Sequence, residues 1–247
     1  MIVEPRKARF MEKQQRVTTL LDRLETMYPA AQCALRHSNP FQLLVATILS
    51  AQCTDQRVNL VTKTLFKKYR TPADFARVPQ ATLEKEIRST GFFRNKAKNI
   101  RGASKRIVEE FGGKVPKTME ELLTLPGVAR KTANVVMGSA FGIAGGIVVD
   151  THVQRLSRRL GLTRQKDPRK IEQDLIRIIP KDRWISISHQ LIWHGRQLCQ
   201  ARSPKCTECP LVDICPAGQA AGVGCQVPGA RCQEEDVPGV RHKAIGL

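Results

Sequence analysis

The chain has 247 residues, 41% of them hydrophobic and 5% aromatic, which allows one or two domains with cores of Leu, Ile, Val and Ala. Its 41 Lys and Arg against 22 Asp and Glu give a formal charge of +19, which indicates a polyanionic partner. It has no apolar run of membrane-spanning length and no signal-like apolar stretch near the N-terminus. We therefore expect a cytoplasmic protein with no membrane partner, whose eight cysteines are reduced thiols or metal ligands.

The first half of the sequence reads as helices. Helical spacing of apolar residues predicts elements at about residues 17–27, 41–52, 55–69 and 94–111. Asn39 and Pro40 are typical of a cap and a first helical position, and the helix after them is apolar nearly all round, which predicts a central, buried element. Cys33 and Cys53 lie in apolar sequence predicted to be helical, where a core role is favoured over chemistry.

The second half continues in the same way. Thr118 to Glu121 fits a capping box for a short helix, Asp167-Pro168 begins another, and Trp184 to Leu198 forms the last long one. Strand signals are few and the β-branched run Ile147-Val148-Val149 is short, so the predicted fold class is all-α. Residues 219–247 lack periodicity and are predicted to be a disordered tail, in which Cys225 and Cys232 are tail thiols.

The segment Leu125-Pro126-Gly127-Val128-Ala129-Arg130-Lys131-Thr132 predicts a tight turn that leads into a helix. Pro126 and Gly127 break the preceding helix, and the N–H groups at the start of the next one form a site for phosphate. The amine of Lys131 would then lie beside a bound phosphate, well placed to attack a sugar carbon. Arg130 and the helix N-terminus disfavour a second positive charge there and so favour the free amine.

Asp150 lies nineteen residues after Lys131 and is the candidate acidic partner. Its carboxylate could stabilise positive charge developing on a sugar and assist deprotonation. It also precedes Thr151-His152-Val153, where an aspartate commonly caps a helix. Both roles are open, and His152 is interpreted as structural.

Cys199, Cys206, Cys209 and Cys215 follow the spacing C-x6-C-x2-C-x5-C. Four soft ligands this close together can surround one metal centre. Zinc held by four cysteines is one candidate, although zinc sites usually pair two short knuckles and only Cys206 and Cys209 form such a pair. An iron–sulfur centre is the other, and four unligated thiols are a remote third.

These motifs resemble the endonuclease III family of DNA glycosylases. The hairpin segment is close to the family's usual LPGVGRKTANVV, with Ala129 replacing the second glycine, and Val148 to His152 matches its V-D-T-H signature. Leu49-Ser50-Ala51-Gln52 is similar to the segment whose glutamine fills the vacated helix space. Thr90-Gly91-Phe92-Phe93 is similar to the family's wedge turn, with Phe92 where leucine is common. From pattern alone, Gln52 could be a helix-end cap and Phe92 ordinary core.

The resemblance implies a two-domain fold and a function. A six-helix barrel would span residues 33–143, with the helix-hairpin-helix at about 118–141, and an iron–sulfur helical domain would combine residues 1–32 and 144–218. The four cysteines would hold a [4Fe-4S] cluster, with Arg202 and Lys205 presented to DNA phosphates alongside Gly127, Ala129 and Arg130. Because alanine replaces the family's glycine at position 129, we expect either strain in the turn or one backbone N–H moved away from its phosphate.

The implied activity is that of a bifunctional DNA glycosylase and abasic-site lyase, acting as a monomer on duplex DNA in base excision repair. Oxidised or ring-saturated pyrimidines are the implied substrates, with Lys131 as nucleophile and Asp150 as its partner. Two alternatives remain. An adenine mismatch glycosylase shares the cysteine loop but usually lacks the lysine, and a non-catalytic iron–sulfur protein would bind DNA without using the lysine and aspartate.

Overall fold

The computed structural model describes residues 5–222, with side chains from residue 12 onward. Within that range the chain is helical and contains no β-strand. Cys225, Cys232 and most of the predicted tail lie outside the described residues, while residues 219 and 220 end a short helix. The α-helices are α1 Pro5–Met27, α2 Pro40–Leu49, α3 Asp55–Lys68, α4 Pro72–Arg77, α5 Gln80–Ile87, α6 Phe93–Glu110, α7 Met119–Leu123, α8 Arg130–Phe141, α9 Thr151–Arg159, α10 Pro168–Ile178, α11 Trp184–Gln197 and α12 Pro216–Ala220.

Local signals start α2 and α10 where the sequence predicts them. The predicted start of the first helix at about residue 17 is wrong, because α1 begins at Pro5. The side chain of Asn39 accepts a hydrogen bond from the Gln42 amide at 2.9 Å, and Pro40 fills the first position of α2. Asp167 caps α10 in the same way. The sequence analysis did not identify the short helices α4, which begins with Pro72, and α5, which directly follows Pro79.

The predicted helical setting of Cys33 and Cys53 is wrong. Cys33 lies in the loop between α1 and α2, and Cys53 lies in the bend after α2, which ends at Leu49 rather than at residue 52. Both thiols are partly buried and pack against the first hydrophobic core, so the expected core environment is present without the helix.

Two separate hydrophobic cores organise the helices. The first contains buried side chains from Leu35 to Met137, with α2 at its centre. The second combines α1 residues Val17 to Tyr28 with side chains from Ile147 to Leu211. On this basis we propose a barrel domain of residues 33–143 and a second domain of residues 1–32 and 144–218, built from both parts of the chain that flank the barrel.

A buried carboxylate joins the two cores. Glu172 of α10 has a side chain only 8% exposed. It accepts hydrogen bonds from Arg130 Nε at 2.9 Å, from Arg130 Nη2 at 3.1 Å and from Asn134 Nδ2 at 2.9 Å, both on α8. A carboxylate this buried is stabilised only when its oxygens are paired, so the bonds fix α8 against α10.

Candidate active site

The hairpin is built from α7, a turn and α8. Thr118 caps α7 by accepting from the Glu121 amide at 3.2 Å. The carboxylate of Glu121 accepts from the Thr118 hydroxyl, so the reciprocal bond of a full capping box is not made. At the turn, Gly127 has φ +77°, and a Cβ there would lie 2.7 Å from Cβ of Asn99. Only glycine fits both the backbone angle and this close approach to α6.

Helix α8 begins without a side-chain cap. Ala129 occupies the N-cap position and its methyl group accepts no hydrogen bond, so the first-turn N–H groups have no partner within the helix. Such groups, together with the helix dipole, favour a phosphate. The expected strain at Ala129 is wrong, because φ −96° and ψ 170° are ordinary extended values that alanine adopts freely.

Arg130 differs from its predicted role. Its guanidinium binds the buried carboxylate of Glu172, so its positive charge is largely compensated and its side chain is held toward α10. The expectation that this charge favours a free amine on Lys131 therefore loses its main support. A contact between DNA and the Arg130 backbone remains a prediction.

Asp150 caps a helix and also lines a cavity that contains Lys131. Its Oδ1 accepts from the His152 and Val153 amides, each at 2.8 Å, which starts α9. Oδ2 lies 3.1 Å from Nδ1 of His152. The capping bonds fix the carboxylate without consuming Oδ2, so capping and chemistry are compatible in one side chain.

Lys131 and Asp150 line the same cavity between the two cores. Lys131 is exposed at the N-terminal turn of α8, and Asp150 is 17% exposed. The walls of the cavity come from the loop after α1, from α2 and from α11. The sequence motifs did not assign the following lining side chains to the site: Gln32, Cys33, Thr47, Ser188, His189 and Trp193.

The polar groups of this cavity are partly paired. Arg196 donates to Asp55 Oδ2 at 2.6 Å, which ties α11 to the start of α3. Burial lowers the pKa of His189 and raises that of the Cys33 thiol, so both groups favour their uncharged forms. Beside Lys131, the cavity is therefore lined by the neutral side chains of His189 and Cys33 and by the Arg196–Asp55 ion pair, whose charges balance.

Gln52 and Phe92 lie on two exposed loops. Gln52 has φ +53° and Phe92 has φ +47°, and they are the only non-glycine residues with positive φ among those the structure describes. Phe92 is 64% exposed, so ordinary core packing is excluded. Ser50, not Gln52, is the C-cap of α2. Exposed side chains on strained backbone are frequent where a ligand is engaged.

The four cysteines Cys199, Cys206, Cys209 and Cys215 line one cavity next to α9 and α11. In the described residues no group of three or more His, Cys, Asp or Glu is arranged to hold a single metal ion. Four thiols that line one cavity can together hold a polynuclear iron–sulfur cluster. Burial raises the pKa of the Cys209 and Cys215 thiols, so their thiolates need the compensating positive charge that such a centre supplies.

The loop that carries these cysteines is tied to α9. Arg159 Nη1 lies 3.3 Å from Sγ of Cys199 and donates to the Gln200 carbonyl at 2.7 Å. Arg202 and Lys205, between the first two cysteines, are exposed. Their basic side chains lie where the sequence predicts a phosphate contact, and that contact remains a prediction.

Comparison with known proteins agrees with this arrangement. Residues 45–181 match the family described as HhH-GPD superfamily base excision DNA repair protein. Residues 199–215 match the iron–sulfur binding domain of endonuclease III. The fold and site thus define a helix-hairpin-helix base excision repair protein, and its cofactor is a [4Fe-4S] cluster.

The relatives define the family more closely. Endonuclease III from Synechocystis sp. is 58% identical over 209 residues, covering 85% of this chain and 95% of the relative. Endonuclease III from Bacillus subtilis is 54% identical over 200 residues, covering 81% and 91%. The chain belongs to the endonuclease III family, and it is a base excision repair DNA glycosylase and lyase.

Solved structures give the same result. A non-covalent endonuclease III–DNA complex and a trapped covalent endonuclease III–DNA intermediate each superpose with a TM-score of 0.80 at 48% identity, covering 85% of this chain and 98% of theirs. A thermostable thymine-DNA glycosylase, at 21% identity and TM-score 0.75, shares the fold. Among the described residues, none of the helices has the length and apolar character needed to cross a bilayer.

Proposed function

We propose that Lys131 is the nucleophile and Asp150 its acid–base partner in removing an oxidised or ring-saturated pyrimidine from duplex DNA. The observation that carries the proposal is the cavity that both residues line, beside the uncapped N-terminus of α8. A phosphate held by those N–H groups would bring its sugar to the mouth of the cavity. The relative trapped as a covalent DNA intermediate supports covalent chemistry in this family.

A base within a duplex must leave the helix before its sugar can be reached, at a cost of a few kcal/mol. Gln52 and Phe92 are exposed on their loops, and we propose that they occupy the space that the base leaves. The amide of Gln52 can hydrogen-bond the orphaned base, and the ring of Phe92 can stack on a neighbouring one. Arg202 and Lys205 would hold the flanking backbone.

The chemistry then follows from one amine and one carboxylate. Nζ of Lys131 attacks C1′, and the C1′–base bond breaks, with the base leaving with the electron pair and taking up a proton. Opening of the sugar ring gives a protonated imine between Nζ and C1′. Oδ2 of Asp150, the oxygen not used to cap α9, accepts the C2′ proton, and the 3′ phosphate leaves by β-elimination. Water hydrolyses the imine and frees the lysine.

The iron–sulfur loop has a supporting role. When bound, the cluster cross-links the four cysteines and neutralises their thiolates. Arg159 connects Cys199 to α9, the helix that Asp150 caps, so the loop and the carboxylate share one support. We infer that the enzyme works as a monomer, and that it is found in the cytoplasm and on nucleoid DNA when bound.

The rival activities have less support. An adenine mismatch glycosylase usually lacks the lysine, whereas here Lys131 lines the cavity together with Asp150. A DNA-binding protein without catalysis would have no use for that pair, and the family to which this chain belongs is one of enzymes.

The nucleophile is tested by borohydride trapping on duplex DNA with a single abasic site. We expect wild-type protein to form a covalent adduct, and Lys131→Gln to form none while binding the same DNA. Asp150→Asn keeps a capping oxygen, so α9 should stay intact, and strand cleavage by β-elimination should slow while the trapped adduct still forms. An adduct of undiminished yield with Lys131→Gln would reject this nucleophile. A panel of single-lesion duplexes then tests the substrate class.

A further inference from the structure

Lys96 of α6 is a buried charge that the proposed chemistry does not use. It is only 4% exposed and has no acidic partner in the described residues. Its Nζ instead donates to two backbone carbonyls, that of Leu49 at 2.7 Å and that of Thr90 at 2.8 Å. Burial lowers the pKa of this amine, because removing the charged form from water is unfavourable. The two hydrogen bonds to carbonyls offset part of that cost and point to a role for the charge.

The two carbonyls belong to the two exposed loops. Leu49 is the last residue of α2 and lies three residues before Gln52. Thr90 ends a 3-10 turn two residues before Phe92. Residues 49 and 90 are far apart in sequence, and one ammonium group connects them.

Both loops hold backbone conformations that need support. Gln52 and Phe92 have φ +53° and +47°, and Gly91 between Thr90 and Phe92 has φ +70°. A non-glycine residue in the left-handed region is unfavourable and persists only where the surroundings impose it. Short loop bonds support them, from the Cys53 amide to the Ser50 carbonyl and from the Lys96 amide to the Phe92 carbonyl. The Lys96 ammonium is the link between the loops.

We propose that Lys96 is a positioning residue that holds the Gln52 and Phe92 loops at a fixed separation, so that both side chains enter the DNA helix in one step. The idea rests on the proposed function, since it presumes that these side chains fill the space of the extruded nucleotide. Lys96 touches neither DNA nor the sugar and acts through the loops. If the side chain at position 96 only filled space, methionine would pack equally well, because it has a similar shape without the charge.

The first test compares two substrates in single-turnover reactions. Lys96→Met should slow excision of a base-paired lesion by about tenfold, because the loops must be ordered as the base leaves. Cleavage at an abasic site, where no base must be extruded, should change by less than about threefold. The matched control is Lys105→Met, which removes an exposed lysine from the same helix and should leave both rates unchanged. Lys96→Arg, which keeps donors for both carbonyls, should recover part of the loss.

The second test needs no DNA. In Lys96→Met, hydrogen exchange at the Cys53 and Gly91 amides should quicken together by about tenfold, with the α8 and α11 amides unchanged. Equal loss on both DNA substrates, or exchange that quickens throughout the barrel, would reduce Lys96 to a structural residue. Unchanged exchange in both loops would overturn the proposal. If Lys96→Met does not fold, Lys96→Gln is measured by the same two assays.

The two proposals fail separately. If wild-type protein formed no borohydride adduct, the assignment of Lys131 would fall, while hydrogen exchange would still decide whether Lys96 orders the loops. If the adduct formed and Lys96→Met excised a paired lesion at the wild-type rate, the positioning role alone would fall.

Discussion

Giving α8 the cap that it lacks should stabilise the protein and weaken its hold on DNA. Ala129 has φ −96° and ψ 170°, and Asp150, which caps α9, has nearly the same values of −97° and −174°. Asp150 accepts from the amides two and three residues further on. Ala129→Asn should therefore accept from the equivalent amides of Lys131 and Thr132.

The magnitudes follow from these two bonds. An Asn in place of Ala at an N-cap stabilises a protein by about 1 kcal/mol, which raises Tm by about 2–4 °C at this chain length. Each N–H hydrogen bond to a charged phosphate contributes about 1.5–3 kcal/mol. Asn would compete for two of these donors, and losing the equivalent of one bond already lowers DNA affinity by about tenfold or more. We choose Asn over Asp because a carboxylate at this position would also repel the DNA phosphate.

Two measurements on the same samples check this expectation. Differential scanning calorimetry gives Tm, and fluorescence anisotropy with an undamaged duplex at fixed salt gives Kd. Ala129→Gly is the control, since it adds no cap acceptor and should change Kd little. A raised Tm with unchanged or tighter DNA binding would show that the α8 amides are not the phosphate donors.

The remaining predictions concern the hairpin turn at Gly127, the Glu172 contact between the two cores, and His189 in the cavity. Gly127→Ala should lower stability by about 2 kcal/mol, from the left-handed φ and the contact with Asn99, and urea denaturation would measure it. Glu172→Ala should cost about 2–3 kcal/mol, because buried Asn134 loses its acceptor whereas the half-exposed arginine regains water; a loss below about 0.5 kcal/mol would contradict this. Burial lowers the pKa of His189, so the folded protein binds fewer protons than the unfolded chain below about pH 6.5 and stability falls as the pH drops. His189→Gln should flatten that fall in urea midpoints between pH 7 and 5, and an equally steep profile would argue against it.

The helices that begin with strong local signals could be predicted from the sequence. Asn39-Pro40 and Asp167-Pro168 start α2 and α10 because the cap bonds depend on neighbouring residues alone. The end of α2 could not be placed, since residues 50–52 keep the apolar and polar pattern of a helix while Gln52 adopts φ +53°. That turn depends on a lysine 44 residues further along the chain, which no local window contains.

The candidate pair Lys131 and Asp150 and the four candidate cluster cysteines could be proposed from the sequence, because each lies in a motif that resembles one of the family's. The partner of Arg130 could not, since Glu172 lies 42 residues away and has no motif. The cavity walls were hidden for a similar reason. His189 and Trp193 share one face of α11, and only the packing of the two cores turns that face toward Lys131.

The second core has a consequence for the order in which the molecule matures. Its side chains come from Val17 to Tyr28 and then from Ile147 to Leu211, with the whole barrel sequence between them. During synthesis the barrel can close while α1 still lacks its partners, because domains generally fold as units as the chain emerges. The candidate cluster ligands Cys199 to Cys215 are synthesised after every side chain of the first core, so we expect the cofactor to be inserted only after that core can close.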